Sequence, residues 1–216
     1  MTPTVLGTAA STRTQRVLLV LEELGVDYDL KVVDLSKGQH HDPEYVRDHH
    51  PFAKVPGFQE DGMEIFESRA IARYLAVKHK SDLGPPVNDP EALAVFEQAA
   101  SVEYAYFEPA VSTLGFELIF KKLFNLGDTN QAIVDQQKNL LSTTLDYYEK
   151  QLKNQEYLIG KDYSLVDLFH VPWLGFIRNR LHLGELIDSR RNVAAWAERI
   201  SQRKASKAVS AKSAQH

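Results

Sequence analysis

Lys54-Val55-Pro56-Gly57 and Glu67-Ser68-Arg69 are the residues of this chain whose types and spacing best suit ligand chemistry. A proline at the start of a strand donates no ladder hydrogen bond. If the Val55-Pro56 bond is cis, the valine backbone turns outward. Its N–H and C=O can then pair with an extended peptide. Ser68 opens an expected helix, where free N–H groups and the positive end of the helix dipole suit a carboxylate. One element grips a peptide backbone and the next its terminal carboxylate, which is a site for a short acidic peptide.

The elements that must position these residues read as strand and helix in turn. Thr4–Gly7 is a short apolar strand. Thr12–Leu24 is a helix with Val17, Leu18, Leu21 and Leu24 on one face and Gly25 as its stop. Residues 28–33 alternate as a strand, 43–49 form a short polar helix, and 55–58 with Met63–Phe66 form a hairpin around Glu60-Asp61-Gly62. A helix over 68–80 turns Ile71, Ala72, Leu75 and Ala76 inward. The order is βαβ and then αββα, with the first two strands parallel and the hairpin antiparallel. That is a thioredoxin-like α/β domain over 1–80. The stretch 81–90 carries Gly84-Pro85-Pro86 and marks a linker. Strand patterns then vanish. Helices are expected over 91–124 (bent at Pro109 or Gly115), 128–154, 165–180 (interrupted at Pro172) and 191–203, making an all-helical domain over 91–203. The segment 204–216 has little to bury and is expected to fray. The fold class is α/β plus all-α. Ser164-x-x-Asp167 ahead of an apolar run is a capping box, a structural feature.

Composition excludes several classes. The chain has 216 residues, 44% hydrophobic and 25% charged, with a net charge of −4. That balance gives no reason to expect nucleic acid or an anionic membrane surface as a partner. No apolar run approaches the roughly 20 residues that span a bilayer, and the N-terminus does not read as a secretory signal, so a cytoplasmic location is expected. There is no cysteine. Disulfides, Cys-ligated zinc and cysteine nucleophiles are therefore excluded, and any thiol chemistry uses a thiol carried by the substrate. The pairs His40-His41 and His49-His50 invite a metal reading, but no HExxH spacing accompanies them, and no metal site is expected.

Ala10-Ser11-Thr12-Arg13-Thr14-Gln15-Arg16-Val17 resembles the serine-type active-site segment of the phi class of cytosolic glutathione transferases. Gly38-Gln39-His40, Pro51-Phe52-Ala53-Lys54-Val55-Pro56 and Phe66-Glu67-Ser68-Arg69-Ala70-Ile71 are similar to the glutathione-site pattern of that class. Ser164-Leu165-Val166-Asp167-Leu168 resembles the capping signature of its helical domain. The motifs stand in family order over nearly the whole chain. Two departures are visible: His40-His41 stands where His-Lys is typical, and His49-His50-Pro51 is one residue longer than the usual Asn-Pro approach.

The resemblance implies a dimeric, cytoplasmic enzyme that conjugates glutathione to small hydrophobic electrophiles in detoxification, with glutathione as co-substrate and no metal or prosthetic group. Organic hydroperoxide reduction is a plausible second activity, and a non-catalytic ligand carrier on the same fold is the rival reading. Ser11 would donate a hydrogen bond to the glutathione sulfur and favour its thiolate. The plain alternative is an N-cap of the first helix, with Thr12 and Thr14 as competing hydroxyls. Ser68 and Glu67 would hold the γ-glutamyl end, with Arg69 pairing with Glu67 or supporting the site. Val55 and Pro56 would meet the peptide backbone. Lys54 with His40 or His41 would meet the glycine carboxylate; both histidines also read as loop surface. Thr12, Leu35, Phe107, Phe116 and Phe120 are candidates for an apolar electrophile pocket expected between the domains, against ordinary helix-core packing.

Overall fold

The computed structural model describes residues 2–214. Two compact units divide the chain: one runs to Pro85 and resumes at Ser201, and the other spans Pro86–Ile200.

The first unit is built on a four-stranded sheet of order β2-β1-β3-β4, from β1 (Thr4–Gly7), β2 (Asp29–Val32), β3 (Gly57–Glu60) and β4 (Met63–Phe66). β1 and β2 are parallel; β1–β3 and β3–β4 are antiparallel. β3 begins at Gly57 rather than at the expected residue 55, because Val55 and Pro56 lie outside the ladder. Helix α1 (Thr12–Leu24) is stopped by Gly25, whose left-handed φ of 64° lets its N–H return to the Glu22 and Leu21 carbonyls. Helices α2 (Pro43–Asp48) and α3 (Ser68–Lys78) complete the expected set, with a 3-10 turn at Gln39–His41.

Residues 204–213 do not fray. They form a helix, labelled α11 (Lys204–Ser213) to follow α4–α10 of the other unit in chain order, and it packs on α1. Ala205, Ser206 and Val209 are buried there. Residues 215 and 216 of the expected tail lie outside the described residues. The small apolar residues looked too few to hold the segment. They suffice because the helix also carries ion pairs to α1. α1 buries Leu19 and Val20 in addition to the expected face, and it packs against both α3 and α11.

The second unit is helical. One run holds α4 (Pro90–Val102), α5 (Glu108–Gly115) and α6 (Lys121–Leu123), joined by π-turns at Glu103–Phe107 and Phe116–Phe120. Pro109 lacks an N–H and its ring crowds the carbonyl four residues back. The chain widens to π geometry just ahead of it instead of breaking. Next come α7 (Gln131–Gln151), α8 (Leu165–Asn179), α9 (Glu185–Asp188) and α10 (Arg191–Ser201). α8 runs through Pro172 without the expected interruption, its apolar side chains buried along most of its length. The capping box at its start is complete. In the core of this unit His170 donates Nδ1–H to the Val166 carbonyl at 2.8 Å. That leaves Nε2 as acceptor for the Tyr148 hydroxyl at 3.0 Å.

Candidate active site

Sheet register gathers the candidate residues of the first unit at one edge. Leu6 pairs with Gly57, so the preceding Pro56 lies beside Gly7. Gly57 also pairs with Phe66, so Glu67 flanks Pro56 on its other side. Gly7 pairs with Val32, and Val33 N–H donates to the Gly7 carbonyl at 3.0 Å. The loop carrying Leu35, His40 and His41 therefore leaves from the same edge as the turn carrying Ser11. This is the carboxyl end of the parallel strands, where open α/β sheets bind ligands. Leu6, Val33, Tyr45 and Val55 form one buried cluster beneath it. The Tyr45 hydroxyl donates to the Lys54 carbonyl at 2.8 Å and so fixes the approach to Pro56; burial pushes this phenol up to about 12.

Val55-Pro56 is cis. Val55 is 9% exposed, and among the described residues its backbone N–H and C=O make no hydrogen bond. Backbone polar groups this sheltered are ordinarily paired, and an extended peptide lying along Val55 would pair both.

Ser11 is the N-cap of α1, with extended backbone and its Oγ accepting from Thr14 N–H at 3.4 Å. The capping and chemical readings are compatible. Capping uses a lone pair, while the hydroxyl proton stays available to donate. The first turn of α1 carries no acidic residue, so nothing there competes with an anion for the dipole. Thr12, half-buried, is the first helical residue; Thr14 is buried, its Oγ1 without a partner.

The N-terminus of α3 has no side-chain cap. Glu67 precedes it with a left-handed φ of 71°, unusual for a side-chain-bearing residue and of the kind held at binding sites. Ser68 is 3% exposed and accepts from Arg16 Nη1 at 3.4 Å. Arg16 is fully buried on α1. A buried guanidinium behind an uncapped helix start is a setting that suits an anion. Arg69 is half-buried and Glu67 exposed.

Two residues here have no glutathione-binding role in the sequence motifs, Arg16 and His50. Arg16 occupies the buried face of an apolar helix, a place where charge needs a partner. That is the signal that points to it. His50 is 2% exposed, its ring centroid 4.8 Å from that of Phe66, with no partner for Nδ1. Burial lowers its pKa, which the nearby Glu67 charge opposes and the Lys54 charge reinforces. Lys54 and His41 are exposed; His40 is half-buried, and burial with His41 beside it lowers its pKa.

The expected electrophile residues divide. Leu35 is exposed on its loop. In the second unit Phe116 is exposed, with Lys121 Nζ 5.7 Å from its ring centre, and Phe120 is half-buried beside Phe124 and Phe176. Phe107 is core: it is fully buried, 4.5 Å from the His170 ring and 6.2 Å from that of Tyr148. With no exposed surface, it belongs to the interior of the second unit rather than to a pocket wall. Among the described residues no group of three or more His, Cys, Asp or Glu side chains is placed to hold a metal, and no helix is long and apolar enough to cross a membrane.

Known proteins match both units. The glutathione S-transferase N-terminal domain model covers residues 1–77 and the C-terminal domain model residues 92–204. The chain belongs to the glutathione S-transferase family. A glutathione S-transferase of Arabidopsis thaliana (PM239X14) is 43% identical over 193 residues, 88% of this chain and 87% of that one. The transferase hmp2 of Hypomyces subiculosus is 45% identical over 168 residues, 77% of this chain and 78% of that one. The crystal structure of glutathione transferase F2 from Populus trichocarpa superposes with a TM-score of 0.90 at 33% identity, over 99% of this chain and all of the other. Such F-type neighbours place this transferase in the phi class. Glutathione S-transferase I from mais, in complex with an atrazine glutathione conjugate, gives a TM-score of 0.88 at 28% identity over 99% of each chain.

Proposed function

We propose that this transferase works by a serine mechanism on glutathione bound along the edge of the first unit. Val55 pairs with the peptide backbone. Ser68, through its N–H and hydroxyl with Arg16 behind it, takes the γ-glutamyl carboxylate, and Glu67 takes the ammonium. Lys54, with His40 or His41, meets the glycine carboxylate. Arg69 supports Glu67. The unpaired backbone of Val55 beside the uncapped start of α3 is the observation that carries this reading.

The sulfur then lies at the N-terminus of α1. The Ser11 hydroxyl donates to it, and the thiol proton passes to solvent. Such settings bring a thiol from near 8.5 down to roughly 3.5–7.5. The thiolate attacks the electrophilic carbon; with an aryl halide the new C–S bond replaces the carbon–halogen bond and halide leaves. Thr12 and Leu35 are the proposed contacts of the electrophile in the first unit. The enzyme acts as a cytoplasmic homodimer.

The test is the conjugation rate with an aryl halide as a function of pH, for the wild type and Ser11→Ala. The wild-type rate should rise through an apparent pKa well below that of the free thiol. Ser11→Ala should shift it upward and cut kcat about a hundredfold, as when one preorganised donor is lost. Turnover unchanged in Ser11→Ala refutes the serine mechanism. Retention on immobilised glutathione without turnover in the wild type points to a carrier, and hydroperoxide reduction is assayed on the same preparation.

A further inference from the structure

Helix α11 reaches the turn that carries Ser11 through one side chain. Gln15 Nε2 donates to the Ala9 carbonyl at 2.8 Å and to the Ser213 hydroxyl oxygen at 3.0 Å. A primary amide has two N–H donors, and both are engaged. Ala9 is buried, two residues before Ser11. The turn is also held by Ser11 N–H to the Thr8 carbonyl at 3.0 Å and Ala10 N–H to Thr8 Oγ1 at 3.3 Å. Gln15 ties this local turn to a segment nearly two hundred residues away in sequence.

Ser213 is itself fixed on α1. Arg203 grips Glu23 with two bonds, Nε to Oε1 at 2.6 Å and Nη2 to Oε2 at 2.7 Å. Lys212, adjacent to Ser213, bonds Glu22 Oε1 at 2.6 Å and also the Tyr28 hydroxyl. Val209 is buried between these two clamps. A helix pinned at both ends holds its last hydroxyl at a set distance from Gln15.

We propose that the C-terminal helix is a positioning element for Ser11, acting through Ser213, Gln15 and the Ala9 carbonyl. The inference rests on the serine mechanism above. Gln15 touches no substrate in this scheme: it orients the turn, and the turn aims the hydroxyl. A donor misaimed by a fraction of an ångström stabilises the thiolate less, while glutathione still binds through Val55, Lys54 and Ser68. The signature is thus a change in thiol ionisation and kcat with the glutathione KM preserved.

The experiment uses the full-length enzyme as wild type, Ser11→Ala, Gln15→Leu and Ser213→Ala, with folding checked by circular dichroism. Bound-thiol ionisation is followed by the ultraviolet absorption of the thiolate against pH, alongside kcat and KM. Gln15→Leu should raise the apparent thiol pKa by about half a unit and lower kcat roughly three- to tenfold, the range for one neutral hydrogen bond. Its glutathione KM should stay within about twofold. Ser213→Ala, which removes only a half-buried hydroxyl at the end of α11, should move the same quantities in the same direction by less. If Ser11→Ala shifts the thiol pKa while Gln15→Leu and Ser213→Ala keep wild-type ionisation and kcat, the positioning role is overturned. A loss of kcat accompanied by a raised KM and unchanged ionisation overturns it as well. If Ser11→Ala itself leaves ionisation unchanged, the serine mechanism has failed instead.

Discussion

Replacing Asp167 with Ala removes one acceptor group from four donors at once. Oδ1 accepts from Leu158 N–H and from the Trp196 indole N–H, both at 2.9 Å. Oδ2 accepts from Ser164 N–H at 3.1 Å and from the Ser164 hydroxyl at 3.0 Å. The donors come from the turn before α8, from its cap and from α10, so this carboxyl ties three segments of the second unit together. The hydroxyl can rotate to another acceptor, but the two backbone N–H groups and the indole cannot. Each buried donor left alone costs about 1–3 kcal/mol. Three of them bound the loss at ~3–9 kcal/mol. The emptied space can admit water, which places the expected loss near the low end, about 4 kcal/mol. For a chain of this size that lowers Tm by roughly 8–16 °C. Asp167→Asn keeps an acceptor but turns an N–H2 toward a donor, and should lose about half as much. Calorimetry and circular dichroism at one fixed protein concentration measure both variants. A Tm within about 3 °C of wild type for Asp167→Ala would refute the reasoning. The pH dependence gives a second check. Burial raises this carboxyl above its ordinary value, although its four hydrogen bonds pull the other way. A raised folded-state pKa means the group's contribution is full below the unfolded value and falls as pH climbs through the folded one. The stability gap between wild type and Asp167→Asn should therefore be wider in acid than at neutral pH.

Other outcomes follow from the first unit. Ser68→Ala should raise the glutathione KM about tenfold or more with little change in kcat, because a hydrogen bond to a charged group is lost from ground and transition states alike. A fall in kcat at constant KM would contradict its assignment to the carboxylate. Gly7→Ala would set a methyl carbon 2.6 Å from Thr14 Oγ1 and 3.0 Å from its Cγ2, pushing on the first turn of α1. It should cost about 1–3 kcal/mol and reduce turnover, and a wild-type Tm with full activity would show the contact is easily relieved. Burial works against ionisation of Glu22, but its bonds from Lys212 and Tyr28 outweigh this and hold the carboxyl below its ordinary 4.5. A depressed pKa contributes stability above that value and loses it as pH falls through the folded one. Hydrogen exchange at the α11 amides should accelerate in acid below the ordinary glutamate range, and Glu22→Gln should remove that step.

Much of the site was legible because its signals are local. A Val-Pro step before a strand, a serine opening a helix and a glycine ending one act through bonds within a few residues. The expected segments 4–7, 12–24 and 63–66 match the strands and helix found there. Arg16 and His50 were not legible in this way. Their meaning depends on what the fold brings against them: Ser68 on α3 for Arg16, and Phe66 with Glu67 and Lys54 for His50. Phe107 misled for the converse reason. An aromatic stripe marks a buried face but does not say whether that face meets solvent, ligand or core.

Local chemistry and periodicity, by themselves, determined the two-part organisation, the serine at the head of α1, the absence of cysteine chemistry and the capping of α8. Tertiary structure alone decided what required distant partners. Register set Gly7, Pro56 and Glu67 side by side, because strand pairing is a long-range choice made by the sheet as a whole. It also turned residues 204–213 from a weakly apolar tail into a docked helix, since ion pairs from Arg203 and Lys212 to α1 exist only once both helices are in place.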